Sequence, residues 1–213
     1  MKFCVIGLGR FGYHVATTLA ENGMEVLGIE ANESIVASIR DDITQAVCLK
    51  VTDEVSLRSV GVDEMDTVIV AMGENFAQSI LITALLKKKL NIPLVITRAV
   101  NDIHKEILML IGADRVILPE KEIAIKLADN LSLPFSVLSP LTKKYSISEI
   151  TVPASFIGKK IGDLNLFAKY KVYCIGLRDD EEIKTIDKTY VIEEHTRLIL
   201  AGENKGLETI AEL

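Results

Sequence analysis

Through the first two-thirds of the chain, short unbroken apolar runs alternate with amphipathic stretches. The runs cover residues 2–6, 25–29, 46–49, 67–70, 94–97 and 115–118. They are continuous rather than alternating, as expected for strands covered on both faces. Between them, residues 11–21, 75–90 and 103–111 repeat apolar positions at helical spacing. Gly23, Gly61 and Gly112 fall near the predicted helix ends, where a positive φ is often needed. Strand alternating with helix predicts a parallel sheet with right-handed crossovers, a Rossmann-like doubly wound α/β domain.

A further helix is predicted over 124–131. The stretch LSLPFSVLSPLTKKYS then carries two prolines and four serines, which predicts a linker or hinge over 133–144. Beyond it, strands are predicted over 145–153, 171–178 and 196–200, with short helical pieces over 160–168 and 205–210. This tail is too short for a second doubly wound sheet. The predicted organisation is a nucleotide-binding domain over 1–132 and a small α+β domain over 145–213. There is one GxGxxG, hence no internal duplication.

The 213 residues suffice for a real core. With no tryptophan and 5% aromatics, that core is aliphatic. A net charge of −6 argues against nucleic acid as a partner, which would call for a basic stripe. No run reaches the 18 or so apolar residues of a membrane helix. The opening MKFCVIG is short and ends in a glycine turn, so it reads as a buried strand, not a signal peptide. Cys4, Cys48 and Cys174 are widely spaced and fit neither a disulfide framework nor a zinc site. Each is expected to pack as a small hydrophobe, in a reducing cytoplasm.

Candidate chemistry begins at Gly7-Leu8-Gly9-Arg10-Phe11-Gly12, between the first strand and the first helix. Gly7 permits the tight turn, Gly9 the approach of a pyrophosphate, and Gly12 close packing of helix on strand. Amides at the helix start then bind phosphate. The pattern calls for an acid about 20 positions later to accept from a ribose, and Glu30 in VLGIEAN supplies it. Glu30 favours an unmodified 2′-hydroxyl over a 2′-phosphate. Arg10 is an oddity, because a helix N-terminus is already positive. Either something negative shares the site, or Arg10 is a solvated surface residue.

Two more loops leave strands at their C-terminal ends, where such sheets bind nucleotides. One holds Thr52 and Asp53, the other Ala71, Met72, Gly73, Glu74 and Asn75. Asp53 can accept from an adenine amino group, cap the helix that follows, or do both. His14, His104 and His195 have no nucleophile or acid partner in sequence, so each reads as solvated or merely packed. No catalytic residue is predicted, and the chain is not expected to be an enzyme. The alternatives with the same signature are a small NAD-dependent oxidoreductase and a redox-sensing NAD-binding regulator.

GLGRFG, Glu30, VIVAMGEN and IGADRVILPEKE, followed by GKKIGDLNLFAKY and VIEEHTRLILAG, resemble the regulatory subunits of Ktr/Trk-type bacterial potassium transporters. These carry RCK (regulator of K⁺ conductance) N- and C-terminal domains. The resemblance covers essentially the whole chain, and its single-copy length is nearest to the Ktr subunit. It implies a cytoplasmic gating subunit, peripheral to the inner membrane face, that binds ATP or ADP, or else NAD(H). It implies dimers assembled as an octameric ring under a membrane potassium-channel subunit. It implies that Arg10 reaches the terminal phosphates of nucleotide in a neighbouring subunit. Arg98 in VITRAVN would stand beside the nucleotide, against a solvated charge as the plainer role, and Asn32 would help hold the ribose edge, against an N-cap for the helix from Glu33. Glu120 in LPEKE would sit near the phosphates and help bind a cation (Mg²⁺ or Na⁺), against a first-turn acid satisfying the helix dipole. Relatives that bind cyclic di-AMP use a segment equivalent to 157–163 and an arginine after it; Phe167 stands in that arginine's place. Finally, Ile103, Ile107, Leu108, Ile111, Ile123 and Leu127 form apolar stripes that suit either a subunit interface or core packing.

Overall fold

In the computed structural model, every residue is described except 74, 133, 134, 143, 180 and 181, together with the side chain of 130. The chain divides into two compact units, Met1–Lys121 and Glu122–Leu213.

The first unit runs β1 (Lys2–Ile6), α1 (Arg10–Glu21), β2 (Glu25–Glu30), α2 (Glu33–Ile39), β3 (Gln45–Cys48), α3 (Glu54–Arg58), β4 (Thr67–Val70), α4 (Phe76–Lys88), β5 (Leu94–Arg98), α5 (Asp102–Ile111) and β6 (Arg115–Ile117). The strands form one parallel sheet in the order β3-β2-β1-β4-β5-β6. Successive side chains of β1 serve opposite faces. Cys4 and Ile6 join a core with Leu27, Val68, Ile82 and Leu86, and Val5 joins one with Leu8, Ala16, Val26 and Ile39. This double burial explains the unbroken apolar runs. Gly112 closes α5 at φ +108 and Gly61 precedes a 3₁₀ turn at φ +80, both left-handed as predicted.

Helix α6 (Pro119–Ser132) spans the divide between the units. The second unit continues with β7 (Ser136–Pro140), β8 (Tyr145–Thr151), α7 (Leu166–Tyr170), β9 (Val172–Asp179), β10 (Glu182–Lys184), β11 (Arg197–Glu203) and α8 (Asn204–Ala211). Its sheet is antiparallel, in the order β10-β9-β11-β8-β7. Ile150, Leu198, Leu200, Leu207 and Ile210 centre its core.

Four expectations need correction. The 133–144 segment is not all linker: Ser136 to Pro140 pair with β8, the serines standing on a strand. β10 was not legible, because its three residues are all exposed and carry no pattern. The helix expected over 160–168 is a 3₁₀ turn and α7, divided at Asn165, which takes φ +48. Cys48 is exposed rather than packed, since it ends an edge strand. Cys4 is buried, and burial raises its thiol pKa. Cys174 is half-buried, and burial pushes its thiol up to about 11.

The apolar stripes divide as well. Leu108 is core, packed with Ala99 and Leu118. Ile103, Ile123 and Leu127 are exposed, as are Leu110, Ile125 and Leu131.

Gly12 is buried where α1 crosses β1, and a Cβ there would overlap the Gly7 carbonyl oxygen. Gly12→Ala should therefore cost on the order of 1–3 kcal/mol, as overpacking does. Gly9→Ala, whose Cβ meets nothing within 4 Å, should change stability by less than about 0.5 kcal/mol. Paired urea melts check this; equal midpoints for the two variants would refute the assigned role of Gly12.

Candidate functional site

The strand order reverses between β1 and β4, and connections leave to opposite sides there. Such a switch point opens a crevice at the C-terminal ends of the strands. Here it is a cleft of about 940 Å³ lined by Gly7, Gly9, Arg10, Phe11, Glu30, Asn32, Ile35, Ala71, Met72, Gly73, Asn75, Arg98 and Glu120. That size suits a small-molecule site, typically about 300–1,000 Å³.

Each wall follows from local geometry. Gly7 turns the chain at φ +92, and its amide donates to the Ile29 carbonyl at 2.8 Å. Leu8 N–H donates to Glu30 Oε2 at 2.9 Å. The other Glu30 oxygen, Oε1, accepts from Ala31 N–H at 2.7 Å and Asn32 N–H at 3.0 Å. The carboxylate thus ties the glycine turn to the β2–α2 turn. Gly9 is the N-cap of α1 and offers no side chain to its first amides. Those amides face the cleft free of any capping oxygen, a ready anion site. Arg10 opens the helix, exposed and without an ion pair among the described residues. The arginine oddity therefore stands as two cationic features on one wall, the helix end and a guanidinium.

A second cation completes it. Arg98 ends β5 with its side chain only 20% exposed, so it is not a solvated surface charge. It donates to Glu120 Oε1 in the first turn of α6 and lies 5.8 Å from the Phe11 ring centroid. The backbone of Gly73 makes room for it: a Cβ there would come within 2.5 Å of Nη1. Its Nε is buried with no hydrogen-bond partner among the described residues. An unmet buried donor of this kind costs about 1–3 kcal/mol, and a phosphate oxygen is a partner it fits.

Asn32 caps α2, accepting from Ser34 N–H at 2.9 Å, and Asn75 caps α4, accepting from Gln78 N–H at 3.0 Å; both also face the cleft. Gly12 supports the turn from behind. Glu74 lies outside the described residues. Thr52 and Asp53 line neither this cleft nor the smaller slot beside it. Asp53 is the N-cap of α3, and its bonds from Ser56 hold its carboxyl below the usual range. The slot, of about 80 Å³, lies between Leu49, Lys50, Val51, Gln78 and Ile82 and shares Gly7, Glu30 and Met72 with the cleft.

Ile35, Lys50 and Gln78 were not singled out from sequence. Gln78 was findable: it stands three residues after the cap Asn75, as in a capping box, and its Nε2 donates to Val51 O at 2.9 Å. As for a cation at Glu120, no three His, Cys, Asp or Glu side chains among the described residues gather to hold a metal. Glu120 instead pairs with Arg98. The histidines stand apart from the cleft. His14 and His195 are exposed. His104 is fully buried, its ring tilted against that of Phe76 with centroids 4.1 Å apart and Ser79 Oγ at 3.4 Å, and burial lowers its pKa. In the second unit, Phe167 is stacked 4.6 Å from Tyr173 with Lys171 Nζ 5.1 Å from its ring.

The TrkA-N domain family matches residues 3–119 and the TrkA-C domain family residues 147–213. The chain belongs to the TrkA-N/TrkA-C family. This family member is 37% identical over 210 residues to "Ktr system potassium uptake protein A" of Bacillus subtilis (strain 168), covering 97% of this chain and 94% of that one. It is 35% identical over 204 residues to protein C of the same system and organism, covering 94% and 91%. Among solved structures, the GsuK RCK domain superposes with a TM-score of 0.66 at 18% identity, over all of this chain and 48% of that one. The GsuK channel bound to NAD gives 0.55 at 21% identity, over 99% and 38%. GsuK bound to ADP gives 0.54 at 24% identity, over 62% and 34%. These likenesses establish an RCK-type fold for the TrkA-N/TrkA-C chain.

Glu30→Ala removes the clasp and the acceptor together. Loss of a charge-assisted contact should weaken adenine-nucleotide binding by about 1.5–3 kcal/mol. Calorimetric titration of wild type and mutant checks this, and an unchanged dissociation constant would show that no ribose meets Glu30.

Proposed function

We propose that this protein is a nucleotide-sensing regulatory subunit of a potassium uptake system. An adenine nucleotide, ATP or ADP, or NAD(H), occupies the cleft of the first unit, and the bound state is passed to a membrane potassium-channel subunit. The observation that carries the reading is the convergence in one cleft of the uncapped α1 amides, Arg10, Arg98 and the Glu30 carboxylate. Three donors suit a polyphosphate and one acceptor suits a ribose, all on a family scaffold whose named relatives are potassium uptake proteins.

In this reading the ribose meets Glu30 through a lone pair that its three amides leave open. The phosphates lie over Gly9, where no side chain intervenes. The protein works as an assembly of copies, dimers within an octameric ring, at the inner face of the membrane. Helix α6 supports this. Every described residue from Glu120 to Asp129 is exposed, and so are Leu131 and Ser132. A helix of 14 residues is marginal alone, and Ile123, Ile125, Leu127 and Leu131 give it apolar surface for a partner. A cation at Glu120 would need ligands from the phosphates or a second copy. No helix among the described residues is long and apolar enough to cross a membrane, so contact with the membrane would come through the channel partner.

Arg10 serves as the discriminator. Glu30 and Gly9 address parts common to ATP and ADP, whereas a guanidinium supplied to a neighbouring copy's terminal phosphate responds to the extra charge. A ligand shifts an equilibrium only by its differential affinity for two states. Arg10→Ala should bring the ATP and ADP dissociation constants together by about tenfold, roughly 1.4 kcal/mol. Lysine should restore only part of the difference, lacking the planar fork. Titration at fixed salt and magnesium decides: an unchanged ratio removes Arg10 from the mechanism, and no binding of any adenine nucleotide by wild type removes the proposed function.

A further inference from the structure

Arg98 and Glu120 are unequal partners. The Arg98 fork is held between the Gly73 backbone and the Phe11 ring, with a side chain 20% exposed. The Glu120 side chain is 66% exposed and sits in the first turn of α6. The pair therefore joins a fixed cation to an anion that can turn into water at small cost. One carboxylate oxygen meets Nη2, and the buried Nε has no hydrogen-bond partner among the described residues. A guanidinium presents the same donor fork to a carboxylate and to a phosphate.

We infer that Glu120 is an internal stand-in for phosphate: it and a nucleotide phosphate are alternative partners of Arg98, and binding of one releases the other. This rests on the nucleotide reading of the cleft and deepens it. Phosphate has the advantage of more oxygens and more charge, so it can satisfy Nη2 and Nε together, and it approaches from the cleft that Arg98 lines. Glu120 is then free of Arg98.

The exchange has a consequence at α6. The first turn of that helix is tied to the first unit by Glu120 to Arg98 and by Lys121 to Asp102, the latter at 2.8 Å. Phosphate at Arg98 removes the first tie and leaves the second. Helix α6 continues from there into the second unit. Arg98 is thus a positioning residue whose choice of partner tells α6 whether phosphate is bound. Arg98 distinguishes phosphorylated ligands from the bare nucleoside, a different task from counting phosphates.

The test is calorimetric titration of the full chain with ADP and with adenosine, in chelator and without divalent ions, so that no metal at Glu120 contributes. Glu120→Gln deletes the competitor. ADP affinity should rise roughly two- to fivefold, the size of a partly exposed ion pair, while adenosine affinity stays unchanged. A general gain from removing a nearby negative charge would survive loss of Arg98. The substitution is therefore repeated in an Arg98→Gln background, where the exchange predicts that the gain disappears. An unchanged or weakened ADP affinity in Glu120→Gln, or a gain that persists without Arg98, overturns the exchange alone. Wild-type protein that binds neither ligand overturns the nucleotide reading and the exchange with it.

Discussion

Three backbone N–H groups, from Leu8, Ala31 and Asn32, converge on the carboxylate of Glu30. Everything in the cleft depends on this clasp. It fixes the glycine turn, and the turn aims the first amides of α1. It also fixes the start of α2, whose cap Asn32 borders the cleft. The clasp is possible because β1 and β2 are neighbouring parallel strands with Ile6 opposite Ile29, so their C-terminal turns lie side by side. Behind it, the contact of Gly12 with the Gly7 carbonyl holds α1 against the sheet. A bonded carboxylate, a bare turn and two arginines then coexist as one site with fixed charge. Preorganised donors of this kind need little rearrangement to hold a phosphate.

Much of this was legible in the residues. The six strands of the first sheet were readable because double burial makes each an unbroken apolar run, and all six lie within one or two residues of prediction. The glycine turn and Glu30 were readable because only particular residues can occupy those positions. Of the residues proposed for the site, those at the ends of β1, β2, β4 and β5 gather in one cleft. Asp53 and Thr52 do not line it, because the loop after β3 turns into the cap of α3. The partnership of Arg98 with Glu120 could not be read, since 22 residues and a helix separate them.

The second unit was harder for a physical reason. Its strand β8 alternates buried with less buried positions and buries Ser146 and Ser148 beside Ile150, so the apolar signal is diluted. The segment at 136–140 is written in serine and proline and still forms a strand, held by pairing with β8 rather than by its own propensity. Helix α6 shows the opposite case. Its apolar residues were legible, and their exposure in a single chain is what gives them meaning. Alternatives that the sequence left open for Ile103, Leu108 and Leu127 are separated by the structure residue by residue, with Leu108 alone of the three in the core.

The central claim is that nucleotide lodges on the Glu30-clasped turn. Amide hydrogen exchange, followed with and without saturating ADP, reads that place directly. The account predicts slowed exchange at Gly9, Arg10 and Phe11, together with Ala31 and Asn32 on the other side of the clasp. Slowing confined to other segments, with these amides unchanged, would contradict it.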